Sequence, residues 1–186
     1  MIVLEKKKPF NLSKSSPALS KLRVGLSWDD NAINGQSPDC DVSAFMLGEN
    51  GKIPEESFFV FYNNLSSGDG SVIHNGDNRT GSGEGDDETI DISLQKVSSL
   101  VSQIYFTISI NNADVGFNFS NVSNASVRVY NADNNQILCQ YTLSESFANA
   151  DTLNIGRVYR NGAEWSFEAL GEAYSGGLAT AVELYT

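Results

Sequence analysis

The stretch that decides the fold is Gln103–Ile110, QIYFTISI, in which apolar and polar side chains alternate. In an extended chain, one side carries Ile104, Phe106, Ile108 and Ile110, and the opposite side is more polar. This period of two is typical of a β-strand with one face in the core. We therefore predict a strand over this segment.

The same alternation recurs outward from this strand. It is looser in Ser126–Tyr130, Ile137–Leu143, Gly156–Arg160 and Glu164–Leu170. Pairs such as Asn161-Gly162 separate these segments, and Asn and Gly favour tight hairpins because they tolerate positive φ. About eight or more short strands joined in this way favour an all-β fold, a β-sandwich of two mostly antiparallel sheets.

Two further segments have other patterns. Gly177–Tyr185 places Leu178, Val182 and Tyr185 on one helical face, which predicts short helical segments, including one near the C-terminus. Phe58–Tyr62, FFVFY, is continuously apolar, which predicts a strand covered on both faces.

Length, composition and charge limit the possible functions. A chain of 186 residues with 40% hydrophobic residues and no Pro/Gly/Ser-rich linker predicts one domain over residues 1–186. A formal charge of −11 favours cations and disfavours nucleic acid. No apolar run approaches the roughly 20 residues that span a bilayer, so no integral membrane segment is predicted. Cys40 and Cys139 form no disulfide framework, which fits a cytoplasmic location.

The main functional signal is the acidic segment, residues 76–88, GDNRTGSGEGDDE. It contains five carboxylates and one amide, namely Asp77, Asn78, Glu84, Asp86, Asp87 and Glu88. Carboxylates packed this closely repel one another unless a cation joins them, and the glycines let the backbone bend around an ion. We predict Ca²⁺ ahead of Mg²⁺, because Ca²⁺ takes six to eight oxygen ligands. The alternative is a solvated acidic connector.

A second acidic cluster lies earlier in the chain. Asp39 and Asp41 flank Cys40 before the apolar run VSAFML, and alternate residues of a strand share a face. Asp29 and Asp30 follow another apolar run, LRVGL, and add candidate oxygens.

Catalytic signatures are weak. His74 is the only histidine, which disfavours a Ser-His-Asp arrangement or a His-based zinc site, and we predict an ordinary loop residue. The paired carboxylates could serve glycoside hydrolysis, but the acidic segment has no aromatic platform for a sugar.

The order of motifs resembles the TerD family of tellurium-resistance and stress-response proteins. The matching motifs are GLSWD, DCDVSAF, GDNRTGSGEGDDE, NASVRVYN and YRNGAEWSFEALGEAYSGGL. The resemblance runs from about Leu12 to Tyr185 and implies a Ca²⁺-binding β-sandwich of the bacterial cytoplasm. The calcium ligands that the resemblance implies are Asp29, Asp39, Asp41, Asp77, Asn78, Glu84, Asp86, Asp87 and Glu88.

One position departs from the family pattern. The family usually carries a third aspartate two residues before Asp39, where this chain has Ser37 followed by Pro38. Because calcium affinity depends on the number of charged ligands, this departure weakens a site, and the number of ions remains open.

Two classes of function follow from the resemblance and the composition. The first is a non-enzymatic calcium-binding stress-response protein, whose bound Ca²⁺ orders the acidic segment and shapes a surface for protein partners. The second is an enzyme, either a metal-dependent hydrolase or a handler of tellurium oxyanions, although the negative charge disfavours oxyanion binding. A third hypothesis is a protein that binds sugars through a bridging Ca²⁺ ion.

Overall fold

The computed structural model describes residues 2–76, 85–143, 147 and 149–186. The predicted ligands Asp77, Asn78 and Glu84 lie outside the described residues. The strands form two six-stranded sheets whose inner faces share one hydrophobic core. This arrangement confirms the predicted all-β sandwich.

The first sheet carries the end of the acidic segment. In spatial order it contains β1 (Ile2–Val3), β10 (Gln136–Thr142), β9 (Val122–Asn131), β3 (Lys21–Asp30), β7 (Glu88–Ser93) and β6 (Val72–His74). All neighbours are antiparallel except β1 and β10, which are parallel.

The second sheet is antiparallel throughout. In spatial order it contains β2 (Phe10–Asn11), β12 (Glu164–Tyr174), β11 (Thr152–Asn161), β8 (Gln103–Ile110), β4 (Cys40–Leu47) and β5 (Phe59–Val60). The two sheets therefore end on one side at β6 and β5, with β7 and β4 next to these edge strands.

Helices are few and short in the part of the chain that the structure describes. There they are α1 (Leu12–Ser15), α2 (Gly177–Tyr185) and three 3-10 turns at Glu56–Phe58, Ala113–Val115 and Phe119–Asn121. The helix α2 has the predicted bounds and packs Ala181 against Phe45 and Leu47 on the outer face of the second sheet. No helix in the described ranges is both long enough and apolar enough to cross a membrane.

The strand β8 confirms the predicted inner face but has a buried outer face as well. Ile104, Phe106 and Ile108 are fully buried, and Thr107 on the opposite face is also 0% exposed. Thr107 Oγ1 donates to Asn154 Oδ1 at 2.7 Å, and Asn154 Nδ2 donates to the hydroxyl of Tyr185 in α2. Thr107 on the outer face is thus buried under the C-terminal helix, and its hydroxyl is hydrogen-bonded within the protein.

The prediction for Phe58–Tyr62 is wrong in extent. Only Phe59–Val60 forms a strand, and the side chain of Tyr62 is 44% exposed. A tight turn ends the strand, because Phe61 and Asn64 exchange backbone hydrogen bonds of 3.0 and 2.9 Å. The apolar run instead forms an aromatic stack, with the rings of Phe59 and Phe61 4.3 Å apart.

Candidate metal site

The described end of the acidic segment is fixed to β3 through Asp87. The Asp87 N–H donates to the carbonyl of Leu26 at 2.7 Å, and Asp87 Oδ2 accepts the N–H of Trp28 at 2.8 Å. Burial raises the pKa of the Asp87 carboxyl, and the negative charges of Asp86 and Asp29 raise it further. A buried carboxylate beside two others is the arrangement that a bound cation would stabilise.

Asp86 lies on the outer face of the first sheet. Its Oδ1 is 2.6 Å from Nη2 of Arg128, and its Oδ2 accepts the hydroxyl of Tyr130 at 2.7 Å. Burial raises the pKa of Tyr130 to about 12, and the hydrogen bond to Asp86 acts in the same direction. Asp86 is therefore held by one ion pair and one hydrogen bond from β9.

Glu88 is buried at the sandwich edge, where it contacts the second sheet. Its Oε2 accepts the N–H of Val42 in β4 at 3.0 Å and lies 3.1 Å from Nε2 of His74. His74 Nδ1 accepts the N–H of Gly76 at 3.1 Å, so Nε2 is the nitrogen that carries the proton. Burial would lower the pKa of His74, but the hydrogen bond and charge of Glu88 outweigh it, and the pKa is raised.

His74 is therefore not the loop residue predicted from the sequence. It ends β6, its side chain faces the core side of the strand, and it is 3% exposed. A histidine enclosed in this way is not accessible as a base for a bound substrate.

The second acidic cluster lies at the start of β4. Asp41 is 4% exposed, and its Oδ2 accepts a hydrogen bond from Nδ2 of Asn111. Asp39 precedes the strand, is exposed, and donates its N–H to Asn112 Oδ1 at 2.9 Å. Asn112 also donates to the carbonyl of Ser37 at 3.1 Å. Asp39 and Asp41 thus differ in burial and have separate asparagine partners.

Five of the six predicted ligands that are described fall into two groups, and Asp39 belongs to neither. Asp86 and Asp29 act electrostatically on Asp87, whereas Asp41 and Glu88 act on His74. Asp29 is exposed, and its Oδ2 accepts Nδ2 of Asn124 at 2.6 Å. Within the described ranges, no three His, Cys, Asp or Glu side chains are placed to hold a metal ion by themselves.

The carboxylates fit a hard cation in charge and in donor type. Asp87 is buried, and the negative charges of Asp86 and Asp29 act on its carboxylate, which favours a bound cation. Oxygen atoms are also the donors that Ca²⁺ prefers. The described residues supply part of a ligand set, and Asp77, Asn78 and Glu84 belong to the undescribed remainder of the segment.

Sequence reasoning missed the residues that hold the acidic segment in place. Arg128 and Tyr130 alternate with the buried Val127 and Val129, a pattern that predicts only an outward direction. Nothing in that pattern identifies Asp86 as their partner, because the contact joins residues more than forty positions apart in the chain.

A separate concave surface lies between β5 and α2. Its volume is about 480 Å³, and its apolar lining includes Ile53, Phe59, Phe61 and Val182. Glu56 adds one acidic side chain to this lining. Such a surface suits apolar contact rather than ion binding, so the acidic segment remains the candidate site.

Comparison with known proteins identifies the family of this chain. The TerD domain family matches residues 1–185. The chain is 44% identical over 176 residues to tellurium resistance protein TerD of Serratia marcescens, covering 94% of this chain and 92% of that protein. It is also 44% identical over 180 residues to general stress protein 16U of Bacillus subtilis (strain 168), covering 96% and 93%.

A solved structure supports the fold. A homologue of telluride resistance protein (TerD) from Streptomyces coelicolor A3(2) superposes with a TM-score of 0.69 at 21% identity, covering 89% of this chain and 96% of that one. At this identity the likeness concerns the fold alone, whereas the family match and the relatives at 44% identity cover nearly the whole chain. The chain belongs to the TerD family of tellurium-resistance and general stress proteins.

Proposed function

We propose that this protein is a calcium-binding, non-enzymatic member of a stress-resistance system. The observation that carries the proposal is the burial of Asp87, which is 9% exposed and lies beside the charges of Asp86 and Asp29. The backbone N–H of Trp28 binds Oδ2 of Asp87, and this neutral donor does not compensate the charge of the buried carboxylate. A divalent cation bound to Asp87 would compensate that charge.

The proposed effect of the ion is to order the acidic segment. Both described ends of the segment are bonded to the sandwich, because Gly76 donates its N–H to His74 of β6 and Asp86 accepts the hydroxyl of Tyr130 in β9. Calcium bound between these flanks would hold the intervening residues against the sandwich edge. We further propose that the ordered segment contributes a surface for protein partners, and that the protein acts in the cytoplasm.

The direct test is isothermal titration of chelator-stripped protein with Ca²⁺. We expect saturable binding, weaker binding of Mg²⁺, and at least a tenfold loss of Ca²⁺ affinity in Asp87→Asn, which corresponds to about 1.4 kcal/mol. Asp133→Asn is the matched control, because Asp133 is exposed and accepts one hydrogen bond from Ser20. Equal affinities in the parent, Asp87→Asn and Asp133→Asn would show that the carboxylate group is not the site.

The ordering effect has its own measurement. Amide exchange across residues 76–88 should slow when Ca²⁺ is added to the parent, and should change less in Asp87→Asn. Exchange that is the same with Ca²⁺ and with EDTA would contradict the proposed ordering.

The non-enzymatic proposal is tested with a panel of phosphoesters. We expect the calcium- or magnesium-loaded protein to show no turnover above a heat-treated sample. Turnover that Asp87→Asn abolishes would replace the non-enzymatic proposal with a metal-dependent hydrolase.

A further inference from the structure

We infer that Asp86 is a positioning residue of the acidic segment and not one of its calcium ligands. With Arg128, Tyr130 and the glycine beneath it, Gly25, it forms a latch that fixes the C-terminal end of the segment on the first sheet. The inference deepens the proposed function, and its effect on calcium affinity rests on that function. The contacts that define the latch do not involve a metal.

The first support is that Asp86 already has a cationic partner at one oxygen and a hydrogen-bond donor at the other. Oδ1 forms an ion pair of 2.6 Å with Arg128, and Oδ2 accepts a hydrogen bond of 2.7 Å from Tyr130. The neighbouring Arg23 is bidentate with Asp91, at 2.7 and 2.9 Å, so each arginine of this face has its own carboxylate. A guanidinium next to a carboxylate compensates its charge and repels a cation that approaches the same oxygens.

The second support is the shape of the sheet beneath Asp86. Gly25 lies in β3, paired with Thr89 of β7 and Arg128 of β9. A Cβ at this position would overlap Oδ2 and Cγ of Asp86 and would lie 2.8 Å from Oδ1. Glycine weakens the interior of a strand and typically marks a site where another group approaches the backbone closely. Here that group is the Asp86 carboxylate.

The latch is connected directly to the buried carboxylates. Asp87 follows Asp86 in the chain and bonds to Leu26 and Trp28 of β3, the strand that contains Gly25. Glu88 then begins β7. Fixing Asp86 on the outer face therefore sets the position of the next residue, Asp87.

A ligand and a latch predict opposite effects of removing Arg128. If Asp86 is a calcium ligand, loss of the adjacent positive charge frees its oxygens, and Arg128→Met should bind Ca²⁺ more tightly. If Asp86 is a latch, Arg128→Met misplaces Asp87 and binds Ca²⁺ more weakly.

The first experiment is a titration of Ca²⁺ into the parent, Asp86→Asn, Arg128→Met and the double variant. We expect each single variant to lose about fivefold or more in affinity, and the double variant to lose no more than the weaker-binding single one, because the residues act as a unit. Arg157→Met is the matched control, since Arg157 pairs with Glu168 at 2.6 Å in the second sheet and its loss changes the net charge equally. Tighter binding in Arg128→Met than in Arg157→Met would overturn the latch.

The second experiment needs no metal. In EDTA, thermal unfolding of Asp86→Asn, Arg128→Met and Gly25→Ala should occur below the midpoint of the parent. The first two substitutions remove a contact of the latch, and the third fills the space that the Asp86 carboxylate occupies. If Asp86 were a calcium ligand, Asp86→Asn would remove its repulsion of the neighbouring carboxylates in EDTA and raise the midpoint. If the parent binds no Ca²⁺, the proposed function fails, and these melts in EDTA still decide whether the latch exists.

Discussion

Glu88 in the first sheet binds Val42 in the second, with Oε2 accepting the Val42 N–H at 3.0 Å. His74 completes the contact, because its Nε2 lies 3.2 Å from the Val42 carbonyl oxygen. Two side chains of one sheet thus satisfy both backbone groups of a residue in the other, next to the short edge strand β5. This contact closes the sandwich at the edge where the acidic segment joins β7.

Removal of His74 should destabilise this edge. We expect His74→Ala to lower the free energy of unfolding by about 2–4 kcal/mol, because it leaves buried polar groups of Val42 and Glu88 without the imidazole. Urea denaturation in EDTA measures the effect without a metal contribution. Asn75→Ala, at an exposed neighbour, should change stability by less than about 0.5 kcal/mol, and equal effects of the two substitutions would contradict the assigned role.

Asp69 should stabilise the turn before β6. Its Oδ1 accepts hydrogen bonds from Ser67 Oγ and from both the N–H and Oγ of Ser71, and its Oδ2 accepts the N–H of Ser98 at 2.8 Å. Asp69→Asn replaces one acceptor with a donor, so we expect a loss of about 1–3 kcal/mol in urea denaturation at neutral pH. Asp133→Asn serves as the exposed control and should behave like the parent.

The stabilisation by Asp69 should also depend on pH. Burial would raise the pKa of Asp69, but the hydrogen bonds from Ser67, Ser71 and Ser98 outweigh it, and the pKa lies below its ordinary value. The stabilisation is therefore present above the pKa of an unfolded aspartate, about 3.9, and is lost as pH falls through the lower folded value. The difference in stability between the parent and Asp69→Asn should shrink in acid, and a constant difference from neutral pH to about pH 2 would contradict this assignment.

Ser37 should limit the calcium affinity. Its backbone carbonyl accepts a hydrogen bond from Asn112, which also binds the N–H of Asp39, so Ser37 lies beside one predicted ligand. We expect Ser37→Asp to bind Ca²⁺ more tightly in isothermal titration, because affinity rises with the number of charged ligands. Ser99→Asp adds the same charge at an exposed position. A gain shared by both variants would indicate a general charge effect, and no gain with the fold intact would place Ser37 outside the coordination shell.

Local periodicity predicted the parts of the fold that are set by local contacts. The inner face of Gln103–Ile110 and the bounds of α2 agree with the structure, because each follows from which residues share a face. The extent of the FFVFY strand does not agree, since the turn at Phe61–Asn64 and the hydrogen bond from Asn64 Nδ2 to the Phe59 carbonyl end it.

The candidate site was predictable as a set of residue types but not as a set of contacts. The acidic segment led to the prediction of Asp87 and Glu88 as ligands; both are buried, and their role as ligands stays a prediction. The contacts of His74 with Val42 and of Asp86 with Arg128 depend on how two sheets and three strands come together. Such pairings between distant positions leave no periodic signal in one sequence.

The most direct test of calcium binding to the folded protein is thermal unfolding of chelator-stripped protein in EDTA and in millimolar Ca²⁺. One site at a hundredfold excess of Ca²⁺ over its dissociation constant adds about 2.7 kcal/mol to the free energy of unfolding. We predict a higher midpoint in Ca²⁺ than in EDTA, a smaller shift in equal Mg²⁺, and a reduced shift in Asp87→Asn. Midpoints that coincide in EDTA and in Ca²⁺ for the parent would contradict the proposal that calcium binds and stabilises this fold.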